Sequence, residues 1–284
     1  MTGIGHSALL SVAALSELIS DPGEGPVILD VRWVVGSPPL EKDYLAAHIP
    51  GARFVDLDAD LADPPGVGGR HPLPDPQRLQ EAFRRWGVTD TRPVVVYDGG
   101  SAMAAARAWW VLRWAGVPDV RVLDGGFAAW VHRDGPTASG PAGDPDRPGD
   151  SRVRPGSLPT LDAAAAAQWA AAGRLVDVRA PERFAGRTEP IDPVAGHIPG
   201  AVNRPTTENA TSDGTFLPPA RLRARFEDLI DAAGPAPLGV YCGSGVTATH
   251  TALALHEAGI DAVLYPGSWS EWIVDPQRPV AVGD

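Results

Sequence analysis

The chain has one cysteine in 284 residues, and its surroundings are those of a reactive thiol. Val240-Tyr241-Cys242-Gly243-Ser244-Gly245-Val246-Thr247-Ala248 reads as a strand end, a loop with two glycines and a helix that starts near Thr247. Small residues let successive backbone N–H groups turn inward, and a helix N-terminus adds positive potential, so such a loop is suited to hold an anion. These surroundings favour the thiolate, which is the nucleophilic form of cysteine. A lone cysteine is ordinarily a small buried hydrophobe. Here it follows a strand and opens a glycine loop, the place where parallel sheets bind their ligands, which argues for chemistry.

The elements that must position this loop occur twice. Val27-Ile28-Leu29-Asp30-Val31-Arg32 returns as Arg174-Leu175-Val176-Asp177-Val178-Arg179, and His48-Ile49-Pro50-Gly51-Ala52 as His197-Ile198-Pro199-Gly200-Ala201. Val95-Val96-Tyr97-Asp98-Gly99 matches Gly239-Val240-Tyr241-Cys242-Gly243, and Gly125-Gly126-Phe127 with Trp130 matches Gly267-Ser268-Trp269 with Trp272. Four blocks in one order indicate a duplicated domain. Within each copy, short β-branched runs alternate with helical segments. The runs are Val27 to Val31, Val94 to Tyr97 and Val120 to Leu123, then Leu175 to Val178, Leu238 to Tyr241 and Ala262 to Tyr265. Helices are expected at Pro76 to Trp86, Ser101 to Trp114, Leu161 to Ala172, Arg221 to Ala232 and Thr247 to Ala258. This rhythm predicts an α/β fold in which each copy is a small doubly wound parallel sheet with helices on both faces. The expected organisation is a first domain over 1–139, a linker over 140–156 rich in Gly, Pro and Asp, and a second domain over 157–284.

Composition narrows the function classes. A net charge of -11, without a run of Lys or Arg, argues against nucleic acid as a partner. The longest apolar stretches, such as Ala163 to Ala167, fall far short of the roughly 20 residues that span a bilayer, so no membrane association is expected. The segment Met1 to Ser11 lacks the basic region and apolar core of a secretory signal, and one cysteine fits a reducing compartment. A cytoplasmic protein is expected. One cysteine also excludes an internal disulfide and a Cys-rich metal site, and leaves no resolving thiol.

The chain resembles the tandem rhodanese-type sulfurtransferases, through Leu29-Asp30-Val31-Arg32, His48-Ile49-Pro50-Gly51, Val176-Asp177-Val178-Arg179, Gly196-His197-Ile198-Pro199-Gly200 and Gly267-Ser268-Trp269-Ser270-Glu271-Trp272. The resemblance implies two rhodanese-like domains, a Cys242 persulfide, no metal and no organic cofactor. Asp98 stands where the first copy would carry its cysteine, which implies a catalytically silent first domain. Cys-Gly-Ser-Gly-Val-Thr-Ala looks like the 3-mercaptopyruvate branch of the family, because thiosulfate-preferring relatives tend to carry basic residues directly after the cysteine. Thiosulfate is a compact dianion that would gain from such cations, and this loop's own residues are glycines, hydroxyls and backbone N–H groups. The loop residues Gly243, Gly245, Val246 and Thr247 are expected to bind substrate.

The resemblance further implies a proton relay of Ser244 with His71 and Asp58, the latter two contributed by the first domain. It implies that Arg183 binds the substrate carboxylate, as the planar fork of arginine suits. Arg187 is the nearest candidate for a second substrate arginine. Sulfur would pass to an external acceptor such as thioredoxin, a small thiol or cyanide; a thiosulfate donor is the alternative. Asp177, Arg179, His197 and the tryptophans are read as structural, since the silent copy repeats the strand and turn positions. A cysteine phosphatase would need an arginine six residues after the cysteine, where Ala248 stands. A non-enzymatic sulfur carrier or interaction module is strained by the intact loop around Cys242.

Overall fold

The computed structural model describes residues 7–145, 147–234 and 236–283. The first six residues of the Met1–Ser11 segment, Asp146 of the linker, and Pro235 and Asp284 of the second half lie outside the described residues. Two compact units divide the chain. The first takes Met1–Asp63, Leu73–Leu158 and Ser212–Phe216; the second takes Pro64–Pro72, Pro159–Thr211 and Leu217–Asp284.

The first unit is built on a five-stranded sheet of β1 (Leu9–Leu10), β2 (Val27–Asp30), β3 (Arg53–Phe54), β4 (Val94–Tyr97) and β5 (Val120–Leu123). Its order is β1-β5-β4-β2-β3 and every pairing is parallel. The second unit has β6 (Leu175–Asp177), β7 (Val202–Asn203), β8 (Leu238–Tyr241) and β9 (Ala262–Leu264) in the order β7-β6-β8-β9, again all parallel. The two orders correspond strand for strand, and a parallel bridge from Thr160 to Leu264 marks where the second sheet would gain its counterpart of β1. All four residues of β2, β4 and β8 are buried, as expected of strands covered on both faces.

The recurring blocks serve the same structural ends in both units. The Arg32 guanidinium grips Asp30 through Nε and Nη2, and Arg179 grips Asp177 in the same way, with 2.6 Å from Nη2 to Oδ2 in each. His48 Nδ1 lies 2.9 Å from the Tyr44 carbonyl, and His197 Nδ1 2.8 Å from that of Phe184. The tyrosines that end β4 and β8 accept the amides of Ile49 and Ile198 on their hydroxyls. Among the tryptophans, Trp130 packs in the core of the first unit, and Trp269 and Trp272 in that of the second.

Helix Pro76–Trp86 matches its expected span. Asp75 caps it by accepting the amides of Gln77 and Arg78, proline opens it, and Gly87 closes it in the left-handed conformation. The helix expected over Arg221 to Ala232 is instead two, Pro219–Ala224 and Glu227–Ala233. At the break Phe226 is buried and leaves helical geometry (φ -118°), while Arg225 turns to the Pro205 carbonyl and to Glu208. Burial of Phe226 overrides an otherwise continuous helical pattern. The Gly/Pro/Asp-rich stretch is no free tether either: Gly149, Ser151, Arg154 and Ser157 each donate a backbone hydrogen bond to the first unit, to Arg84, Val88, Ala115 and Trp114. Among the described residues no helix is long and apolar enough to cross a membrane.

The helix Thr247–Glu257 is buried continuously from Ala248 to Leu255, His250 included. His250 Nδ1 lies 3.0 Å from Thr206 Oγ1, and burial, with the Arg225 charge, lowers its pKa from 6.5 to about 3. Below pH 6.5 the unfolded chain therefore binds a proton that the folded chain refuses. The stability conferred by this neutral histidine is complete above pH 6.5 and is lost as pH falls toward 3, by about 1.4 kcal/mol per pH unit at most. Thermal melts from pH 7 to 5 should show wild type losing stability more steeply than His250→Gln; parallel slopes would exclude a neutral His250.

Candidate active site

β6 lies between β7 and β8, so the connections leave it in opposite directions, and the crevice at that reversal lies beyond the carboxyl ends of β6 and β8. Cys242 directly follows β8 there. Its side chain is 1% exposed, and the Gly245 amide donates to Sγ at 3.1 Å. Gly245 has φ +78°, and a Cβ on it would run into the Pro266 carbonyl, so only glycine permits this amide to turn toward the sulfur. The helix Thr247–Glu257 starts after Val246 without a side-chain cap, so no side chain occupies its first N–H groups.

The turn Gly267–Trp272 holds the loop from behind. Ser268 Oγ accepts the Cys242 amide at 3.2 Å, while the amides of Trp269 and Ser270 donate to the carbonyls of Cys242 and Gly243 at 3.0 and 2.9 Å. The first unit repeats the two carbonyl contacts, with Phe127 donating to Asp98 and Ala128 to Gly99. It lacks the third. Gly126 there has φ +56°, and its counterpart Ser268 has φ +54°, a region that non-glycine residues seldom enter.

Asp98 shows what occupies the loop of the first unit. Its two carboxylate oxygens accept the amides of Gly100, Ala102, Ala104 and Ala105. The concavity is filled by its own side chain. Burial raises the Asp98 pKa even against those four donors.

The loop around Cys242 has no cation of its own, yet the fold supplies two. The heavy atoms nearest to where a Gly243 Cβ would stand are Arg70 Nη2 at 3.0 Å and Arg183 Nη2 and Nη1 at 3.5 and 3.7 Å. Arg183 comes from the short helix Pro181–Phe184 and is held by Glu189 (2.7 Å) and Asp192 (3.2 Å). Arg70 pairs with the other oxygen of Asp192. Burial raises the Asp192 pKa against the pull of Arg70 and Arg183; at Glu189 the hydrogen bonds from Arg183 and the Asp192 amide outweigh burial and lower it.

The expected site residues therefore distribute as follows. Cys242, Gly243, Ser244, Gly245, Val246 and Thr247 share one loop, with Ser244 7% exposed, and Arg183 stands beside it. Arg187 lies exposed on the turn after that helix, its amide bonded to the Glu182 carbonyl, and the second guanidinium at Gly243 is that of Arg70. His71 falls in the first half of the sequence but belongs to the second unit, through the segment Pro64–Pro72. Asp58 belongs to the first unit, where its Oδ1 accepts Trp33 Nε1 at 3.1 Å. Sequence reasoning missed Arg70, Glu189, Asp192, Ser268 and Ser270. For Ser268 the signal was present as the Gly126-to-Ser268 difference between the copies; for Arg70 nothing local marks its approach to a loop some 170 residues on.

A duplicated parallel α/β protein with one cysteine in a glycine loop after a strand, and an aspartate in the matching loop, defines a class of two-domain thiol enzymes. The chain belongs to the rhodanese family and is a sulfurtransferase: the rhodanese-like domain matches at residues 11–133 and again at 160–275. It is 47% identical over 283 residues to a Pseudomonas aeruginosa protein named "Probable 3-mercaptopyruvate sulfurtransferase", covering 97% of this chain and 98% of that one. It is 45% identical over 279 residues to the Mycobacterium tuberculosis "Putative thiosulfate sulfurtransferase SseB", covering 97% of each. Among solved structures it resembles SseA of Escherichia coli, described as a 3-mercaptopyruvate sulfotransferase, with a TM-score of 0.79 and 31% identity over 93% of this chain and all of that one.

Replacing Ser268 by glycine removes two hydrogen bonds, from the Cys242 amide and to the Tyr265 carbonyl, worth about 1 kcal/mol each, and relieves left-handed strain of about 1 kcal/mol, which offsets part of the loss. Ser268→Gly should therefore melt within a few degrees of wild type while its turnover falls roughly tenfold, as the Cys242 amide loses its anchor. Unchanged steady-state kinetics would show that the loop keeps its shape without Ser268.

Proposed function

We propose that Cys242 takes a sulfur atom from 3-mercaptopyruvate, holds it as a persulfide and passes it to an external thiol or to cyanide. The observation that carries this reading is the sole cysteine, with its sulfur accepting a loop amide and two guanidiniums next to it at Gly243. The Cys242 thiolate attacks the donor's sulfur. A sulfur–sulfur bond forms, the carbon–sulfur bond breaks, and its electron pair leaves on carbon as the enolate of pyruvate. The donor's thiol proton ends on that carbon. Ser244 and His71 handle this proton, and Arg183 binds the carboxylate. The Gly245 amide donates to the sulfur, and in this scheme the loop amides of Gly243, Val246 and Thr247 join it on the anionic sulfur before and after transfer, so the site needs no reorganisation between the two states.

In the second half-reaction an acceptor thiol or cyanide attacks the outer sulfur and frees the Cys242 thiolate, a ping-pong scheme. A chain with one cysteine cannot resolve its own persulfide, so the acceptor is a second molecule, such as thioredoxin or a small thiol. A lone reactive cysteine suits a reducing compartment, and the cytoplasm is the proposed location.

Incubation with 3-mercaptopyruvate should make the intact protein one sulfur atom heavier at Cys242, and cyanide should remove that mass as thiocyanate. Cys242→Ala should show neither event, and a Cys242-independent thiocyanate yield would overturn the reading. Ser244→Ala should lower kcat with 3-mercaptopyruvate by roughly 10²-fold or more, the scale of lost proton-transfer catalysis.

A further inference from the structure

We infer that Arg70 is a donor-specificity residue: by setting a second guanidinium at Gly243, it opens the site to a compact dianionic sulfur donor such as thiosulfate beside the thiol of a keto acid. The inference rests on the proposed role of Cys242 as sulfur acceptor. Arg70 arrives from a segment remote in sequence, and both of its ends are fixed. Its amide donates to Ser270 Oγ at 3.0 Å, and Ser270 in turn donates its own amide to the Gly243 carbonyl at 2.9 Å. The preceding Gly69 has φ +99°, and a Cβ there would meet the Gly267 carbonyl at 2.7 Å and Ser270 Oγ at 2.8 Å, so no larger residue lets the segment settle so close. At the far end Nη1 is anchored on Asp192, while Nη2 is the atom nearest to the Gly243 Cβ position. The side chain remains 27% exposed, so solvent and small ions reach it.

The two donors ask different things of this site. With 3-mercaptopyruvate one carboxylate needs a counter-charge and one proton must move. With thiosulfate the Cys242 thiolate attacks the outer sulfur, the donor's sulfur–sulfur bond breaks, and the electron pair leaves on sulfite. No proton moves in that step, so Ser244 and His71 are not required. The difficulty is electrostatic instead: a thiolate must approach a dianion, gathering three negative charges beside one loop, and each nearby cation then acts on more charge. Arg183 alone matches the keto acid, and Arg70 supplies the further charge that the dianion needs. Asp192 binds both guanidiniums and Glu189 that of Arg183, yet the three atoms nearest to where a Gly243 Cβ would stand, its chain neighbours aside, are all guanidinium nitrogens, so positive charge lies directly against that face of the loop.

The test compares kcat/KM for thiosulfate and 3-mercaptopyruvate, with cyanide as acceptor, in wild type, Arg70→Met and Arg70→Lys. Loss of a charged hydrogen-bonding partner should lower the thiosulfate-to-mercaptopyruvate ratio by roughly tenfold or more in Arg70→Met, with partial recovery in Arg70→Lys. Residual mercaptopyruvate turnover reports that the variant's site is folded. Equal losses with both donors, or an unchanged ratio, would overturn the inference and leave the Cys242 reading intact, as would wild type that uses mercaptopyruvate but not thiosulfate. A wild type inactive with either donor would overturn the proposed function itself.

Discussion

The geometry of the second unit depends on the three hydrogen bonds by which the Gly267–Trp272 turn grips the main chain of Cys242 and Gly243. A glycine-rich loop has much to lose in conformational entropy, and without external partners it would sample many shapes. These bonds fix it at its base. Only then can the Gly245 amide face the sulfur and the Gly243 Cα lie against two arginines. The same turn seats Arg70 through Ser270, so one short segment governs both the nucleophile and the charge near it.

Duplication makes the logic of the loop visible. In the first unit a carboxylate takes four backbone amides and seals the concavity; in the second a thiol occupies the corresponding place and takes the Gly245 amide. The scaffold interactions are otherwise the same: the buried Asp–Arg pairs, the tyrosine hydroxyls on Ile49 and Ile198, and the stacked Tyr44–His48 and Phe184–His197 pairs. That sameness identifies them as structural, since they persist where no nucleophile remains. At the loop itself, among the described residues, the copies differ in the cysteine, the serine that anchors its amide and the arginines that converge on it.

Much of this was legible in the residues because it is periodic or local. The β-branched runs, the helix Pro76–Trp86 with its cap and closing glycine, and the strand–loop–helix around Cys242 follow from chain-local preferences. The broken helix at Phe226 did not, because burial of one ring overrode a helical pattern that local preference supported. The convergence of Arg70 and Arg183 was beyond reach for a different reason. It depends on a segment of the first half joining the second unit, and on Asp192, an unremarkable loop aspartate in sequence, being buried between two arginines. Judged from its own residues the loop looked bare of cations; in the fold it is not.

The sharing of Asp192 by Arg70 and Arg183 has an energetic corollary. Two guanidiniums tied to the two oxygens of one buried carboxylate are not independent ligands for an incoming anion. Removing either leaves the whole carboxylate facing the other, so the positive charge an anion feels falls by more than one guanidinium's share, a loss that weighs more on a dianion than on a single carboxylate. The three residues thus form a single thermodynamic unit, whose affinity for an anion is a property of the triad rather than a sum over its arginines.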